Sequence, residues 1–434
     1  MPIRDLLIRR FYNQTKTPSQ YHRVNYTLRY QSRVGIEQTY LNPMIATAEI
    51  PRIRTVQTQT IVPLHVDYLD GIRAVAALYV VIHHAFLQIP NSDTNAVGFQ
   101  ILEFPFRFGR FAVDLFIVLS GFCLMLPVVA KKGFLKNGAF TFFKNRARRI
   151  LPTYYFALLF SMLMIFFFIN EKTGTQWDVS IPVTQWDIIT HILLIQDIFY
   201  DTSGKINHVF WSISVEWRIY VLFPLLLFAW RKWGPFRTVA LALLGSTFLW
   251  YALTQTSLNF YSMSPHYLAL FSFGMAAAYI SRSSMKRYST IRKNYRWNLI
   301  VLFFFSLIVL IISSPGIQRH LSPLYTDLIV GSGAACFLIA LESGHLTNIR
   351  KTLSWKPLVF IGTFAYSIYL IHAPLLQLIS QFLIEPLGLS AVPSILLFWI
   401  AGIPLIVGGA YLFYLFAERP FLSKQILRRS NSKL

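Results

Sequence analysis

The chain has 434 residues, of which 55% are hydrophobic and 16% aromatic but only 13% charged. A soluble protein of this length carries about twice that charged fraction, ~25%, and the apolar residues here come in long runs, so a large water-soluble core is excluded in favour of a polytopic membrane protein. The net charge of +22 raises nucleic-acid binding, but the basic residues follow the loops on one side, and no nucleic-acid partner is expected.

Residues 1–66 are polar and basic and read as a cytoplasmic tail. No apolar run precedes residue 60, so no cleavable signal is expected. Ten membrane spans are predicted, at roughly 74–90, 111–130, 150–169, 209–230, 238–255, 265–281, 298–314, 325–342, 358–381 and 393–416. The expected fold is therefore all-α, with a transmembrane domain over 67–420 and a second basic cytoplasmic tail at 421–434. An even number of spans puts both termini on one side. Of the 40 Lys and Arg residues, 34 fall on that side, which marks it as cytoplasmic and gives it affinity for anionic lipid headgroups. The segment 186–197 is apolar but too short to span, so it reads as an external or re-entrant helix. Cys123 and Cys336 both lie inside apolar runs and suggest neither a disulfide framework nor a metal site.

Five stretches carry residues that an apolar span does not need. In the first, Arg73 and His84 are eleven residues apart, nearly three helical turns, so both lie on almost one face. The rise between them is about 16 Å, which takes an arginine at the membrane boundary to a histidine near the midplane, where an ionisable group is expensive. His83 points about 100° away. Asp114 begins the second span, where it suits either the helix dipole or a site. Ser120-Gly121 follows as a small-residue contact. Arg146 and Arg149 share one face of a helical turn and suit phosphate oxygens, although a basic cluster there also anchors topology. In Trp211-Ser212-Ile213-Ser214-Val215-Glu216, the acid lies about two turns into the membrane. Arg218 cannot face Glu216 on the same helix but suits some other carboxylate. In Ser367-Ile368-Tyr369-Leu370-Ile371-His372, a second histidine lies deep in the ninth span, and Pro374 frees a backbone carbonyl.

Together these stretches resemble the acyltransferase 3 family of integral membrane acyltransferases, over roughly residues 67–420. The family's arginine–ten residues–histidine motif fits Arg73 and His84, and its Arg-x-x-Arg motif fits Arg146 and Arg149. Its Asp-Leu-Phe-x-Val-Leu-Ser-Gly-Phe block fits Asp114 to Phe122, its Trp-Ser-x-Ser-Val-Glu block fits Trp211 to Glu216, and its Ser-x-Tyr-Leu-x-His block fits Ser367 to His372. Glu418-Arg419-Pro420 is similar to the family's exit from the last helix. One departure is that Trp217 and Arg218 follow Glu216 where the family often has another acid or a glutamine. The chain looks like the stand-alone form, without a soluble esterase-like domain.

The resemblance implies transfer of an acyl group, usually acetyl, from acyl-CoA to a hydroxyl of a carbohydrate or glycolipid, in a bacterial inner or plasma membrane. Arg73, Arg146 and Arg149 would hold the phosphates of coenzyme A. His84 would serve as general base or acyl acceptor. Glu216, Asp114 or His372 would fix the imidazole tautomer or hold the acceptor, unranked among themselves. Trp211, Ser212, Ser214 and Tyr369 are the expected substrate contacts. No metal is expected. The rival reading is a transporter or flippase for a glycan, lipid or acyl group, which would use the same arginines without catalysis.

Overall fold

The computed structural model describes residues 66–90, 96–135 and 137–422. The expected tails at 1–66 and 421–434 lie outside the described residues, save for residues 66, 421 and 422. Among the described residues every regular element is helical. The helices are α1 (Asp67–Phe86), α2 (Val97–Glu103), α3 (Arg110–Ala130), α4 (Gly138–Phe167), α5 (Gln185–Ile192) and α6 (Trp211–Trp233). Next come α7 (Pro235–Leu253), α8 (Phe260–Met263), α9 (Tyr267–Arg282), α10 (Lys286–Asn294), α11 (Trp297–Ser313) and α12 (Pro315–His320). The last six are α13 (Pro323–Glu342), α14 (Thr347–Leu353), α15 (Lys356–Thr363), α16 (Ala365–Ile379), α17 (Ala391–Leu397) and α18 (Ile403–Phe413).

Eight helical stretches among the described residues are long and apolar enough to cross a membrane, and a ninth is added if the bent pair α10–α11 is one span. The expected count of ten is not reached on length, because α9 has 16 residues and α11 has 17. Helix α9 is short because it is interior: Tyr267, Leu270, Phe271, Gly274 and Met275 on it are all buried. The apolar segment at 186–197 is no span, since α5 has only eight residues. Thr184 caps it, its hydroxyl accepting from the Asp187 N–H at 3.2 Å while the Asp187 carboxylate accepts from the Thr184 N–H at 2.7 Å.

Helix α1 runs through the middle of the bundle against α3, α15 and α16, with Tyr68, Ile72, Ala76, Val80 and Val81 among its buried residues. The tightest crossing is α3 against α9. A Cβ on Gly121 would lie 2.0 Å from the Phe271 carbonyl oxygen, and one on Gly274 would lie 1.9 Å from that of Val118. Both obstacles are backbone, so only glycine permits this approach, the small-residue contact expected at Ser120-Gly121. Gly274→Leu should therefore cost at least the ~1–3 kcal/mol of ordinary overpacking. It should lower the melting temperature in detergent by several degrees, and a melt superimposable on wild type would disprove the tight crossing.

Candidate active site

The ninth predicted span contributes a helix whose hydrogen-bond ladder has a built-in gap. Pro374 lies inside α16 and has no N–H to give the Leu370 carbonyl four residues earlier. The Asn207 amide fills the gap, donating to Leu370 O at 3.0 Å and to Ser161 Oγ at 3.1 Å. The loop that precedes α6 is thereby fastened to α16 at the level of the site. Tyr369 adds a second fastening, since its hydroxyl lies 2.7 Å from Ser212 Oγ and donates to Val209 O at 3.1 Å.

One turn from this gap, His372 meets His84 of α1. His372 Nδ1 lies 2.7 Å from the Tyr369 carbonyl, which can only accept, so Nδ1 carries the proton. In a neutral ring, Nε2 is then an acceptor. It lies 3.0 Å from His84 Nδ1, which places the His84 proton on Nδ1 and leaves the lone pair on His84 Nε2. Of the three residues left unranked as partners of His84, His372 is thus the one that touches it. His83 turns away, as helix geometry requires, and its Nδ1 meets the Phe106 carbonyl at 2.8 Å.

On the other side of Tyr369 lies a cavity of about 380 Å³. Arg73, Arg146, Arg149, Ser212, Glu216 and Tyr369 all line it, so six of the predicted site residues share one space. Arg73 is partly spent within the protein: it pairs with Asp70 at 2.6 Å and donates to Cys123 Sγ at 3.1 Å. Arg146 and Arg149 make no ion pair among the described residues. The Arg146 guanidinium sits 5.9 Å from the ring centres of both Phe142 and Tyr220. The acids in the cavity are occupied: Glu216 accepts from Ser120 Oγ at 3.0 Å and from the Tyr220 hydroxyl, and Glu418 accepts from Ser367 Oγ at 2.6 Å.

Three predicted residues fall outside this group. Asp114 is fully buried beside Arg110, Asp327 and Tyr267. In that separate cluster, Arg110 pairs with Asp327 at 2.8 Å, as does His266. Trp211 belongs there too, with the Arg110 guanidinium 5.1 Å from its ring centre. Ser214 is buried and does not line the cavity. Arg218 does find a carboxylate elsewhere, in a two-pronged pair with Asp197 from the segment that follows α5. Sequence reasoning passed over Asn207, Tyr220 and His208, although the His208 ring centre is 5.1 Å from that of His84. His208 stands three residues before Trp211, so its proximity to the motif was visible, but not its approach to α1.

The sequence profile described as an acyltransferase domain, that of acyltransferase 3, matches residues 66–415, the stretch that carries the histidine pair and all but Glu418 and Leu422 of the cavity lining. The chain belongs to the acyltransferase 3 family. It is 26% identical over 332 residues to the peptidoglycan O-acetyltransferase OatA of Listeria monocytogenes, covering 72% of this chain and 50% of that protein. It is 23% identical over 339 residues to the O-acetyltransferase OatA of Staphylococcus aureus, covering 74% of this chain and 52% of that protein. The chain spans about half the length of these curated relatives. No solved structure matches it.

For this family member, the fastening of α16 can be tested by a double-mutant cycle. Asn207→Leu orphans the Leu370 carbonyl and should cost ~1–3 kcal/mol. Pro374→Ala in the same background restores an N–H to that carbonyl and should recover a measurable part of the loss in thermal melts. Strictly additive effects would show that the two residues do not serve one carbonyl.

Proposed function

We propose that the protein is a membrane O-acyltransferase that moves an acyl group, acetyl in the first instance, from acyl-CoA to a hydroxyl of a carbohydrate or glycolipid. The observation that carries this reading is the cavity lined by Arg146, Arg149 and Tyr369, the last of these one turn from the His372–His84 pair. Coenzyme A is an anionic head on a thin arm. Two guanidiniums that make no ion pair among the described residues suit its phosphates. The rise along α1 from Arg73 to His84, about 16 Å, approximates the reach of the pantetheine arm. The relatives named above act as O-acetyltransferases, one of them on peptidoglycan, which supports an acetyl group and a glycan acceptor.

In the proposed step, His84 Nε2 accepts the proton of the acceptor hydroxyl while its oxygen attacks the thioester carbonyl. The C–O bond forms, the C–S bond breaks, and the departing thiolate takes up the proton. His372 holds the imidazole in the tautomer that leaves Nε2 free. The charge distribution supports ten spans, with α9 and α11 included, both termini in the cytoplasm, and the arginines at the cytoplasmic mouth of a plasma-membrane enzyme.

Two outcomes are expected with purified protein, acetyl-CoA and soluble peptidoglycan glycan strands. His84→Ala should lower kcat by ~10²–10⁴-fold, with acetyl-CoA affinity retained. Full activity in this variant would remove His84 from the chemistry, and binding without turnover in wild type as well would favour a transporter. Separately, Arg146→Gln combined with Arg149→Gln should raise the KM for acetyl-CoA tenfold or more, since charge-assisted bonds are worth ~1.5–3 kcal/mol each. The kcat should change much less. An unchanged KM would place the donor elsewhere.

A further inference from the structure

We propose that His208 and Gln88 form the subsite that receives the acceptor hydroxyl, beside His84 and apart from the arginine-lined cavity. The inference deepens the acyltransferase reading and rests on it. His208 is buried, with its Nδ1 3.3 Å from Ser180 Oγ, while its Nε2 makes no hydrogen bond among the described residues. Its ring centre lies 5.1 Å from that of His84 and 6.2 Å from that of Trp177. Gln88 is only 1% exposed, and neither its amide oxygen nor its amide nitrogen has a partner among the described residues. It stands four residues beyond His84, in the turn that ends α1. The adjoining Leu87 carbonyl accepts the Gln176 N–H at 3.0 Å, so the segment that braces His208 through Ser180 also closes on the turn that carries Gln88.

A buried polar group left without a partner costs ~1–3 kcal/mol. An imidazole nitrogen and a whole carboxamide lack partners among the described residues, the first on a ring 5.1 Å from that of His84 and the second four residues beyond His84 along the chain, and together they offer positions for a polar guest. The guest is defined by the chemistry on offer. Gln88 presents a donor and an acceptor together, and His208 Nε2 adds one more position. A hydroxyl both donates and accepts, and neighbouring sugar hydroxyls satisfy a carboxamide and an imidazole at once. Neither residue lines the arginine-lined cavity, so the proposed acceptor subsite is distinct from it.

The test measures binding as well as turnover, so that it does not depend on His84 being the base. Affinity for soluble peptidoglycan glycan strands and for acetyl-CoA is measured by calorimetry on the full chain, in wild type, Gln88→Leu, His208→Ala and His208→Gln. Gln88→Leu and His208→Ala should weaken glycan binding tenfold or more, with acetyl-CoA affinity within twofold of wild type. His208→Gln, which keeps a hydrogen-bonding end, should recover part of the loss. In turnover the same variants should raise the KM for glycan far more than they lower kcat. Unchanged glycan affinity in both Gln88→Leu and His208→Ala would overturn the proposal, as would parallel losses for both substrates, which signal misfolding. Wild type that binds no glycan would also overturn it, whereas glycan binding with no transfer would tell against the acyltransferase reading instead.

Discussion

The hydrogen bond between His84 and His372 is the contact on which the rest of the site depends. In the interior of a bilayer a polar side chain that finds no partner is expensive, and water is not at hand to supply one. Two histidines on different helices solve this by pairing with each other. The pairing is directional because His372 spends its remaining proton on the Tyr369 carbonyl. The orientation of His84 is therefore only as good as the backbone of α16. That backbone is held in turn by Asn207 at Leu370 and by Tyr369 on Ser212 and Val209. A loop and three helices thus converge on one imidazole, which is the kind of support a positioned base requires.

The arginines obey the same rule with a different result. Arg73 is compensated by Asp70, and the cavity's carboxylates Glu216 and Glu418 take hydroxyl partners rather than guanidiniums. Among the described residues, Arg146 and Arg149 are the cavity arginines that make no ion pair. A guanidinium kept unpaired in a half-buried space is stabilised by an external anion, and two on one helical turn suit a polyphosphate better than a single carboxylate. The triad of arginines equated at the level of sequence thus divides into one that is ion-paired and two that make no ion pair among the described residues.

Distances along a helix were legible in the sequence, because the rise per residue is constant. That is why Arg73 and His84 could be placed about 16 Å apart on one face before any neighbour was known. Neighbours across helices were not legible, because they depend on packing angles and on where small residues let backbones approach. Glu216, Asp114 and His372 were equivalent on spacing alone. The structure separates them, with His372 on His84, Glu216 in the cavity and Asp114 beside Arg110. The expected ten spans and the eight or nine counted on length among the described residues differ at the short helices. Hydropathy marks apolar runs but not where a helix stops: α9, packed inside, ends at 16 residues, and α11, largely exposed, at 17.

The block Trp211 to Glu216 shows why a motif is not a site. Ser212 and Glu216 are one turn apart and share the face that lines the cavity. Trp211 is rotated from them by about 100° and packs against Arg110, while Ser214 is turned nearly opposite Ser212 and is buried away from the cavity. Residues adjacent in sequence therefore serve two polar clusters. The second of these, in which Arg110 joins Asp327 and His266, ties the start of α3 to α13 and to the residue that precedes α9. Ser120 and Cys123 lie ten and thirteen residues further along α3, about 15–20 Å away, and both face the cavity. A rigid helix fixed at one end by a buried ion pair, and pressed through Gly121 against α9, has little freedom to slide. The Arg110 cluster touches neither histidine pair nor cavity, yet it sets the depth at which Ser120 meets Glu216 and Cys123 meets Arg73.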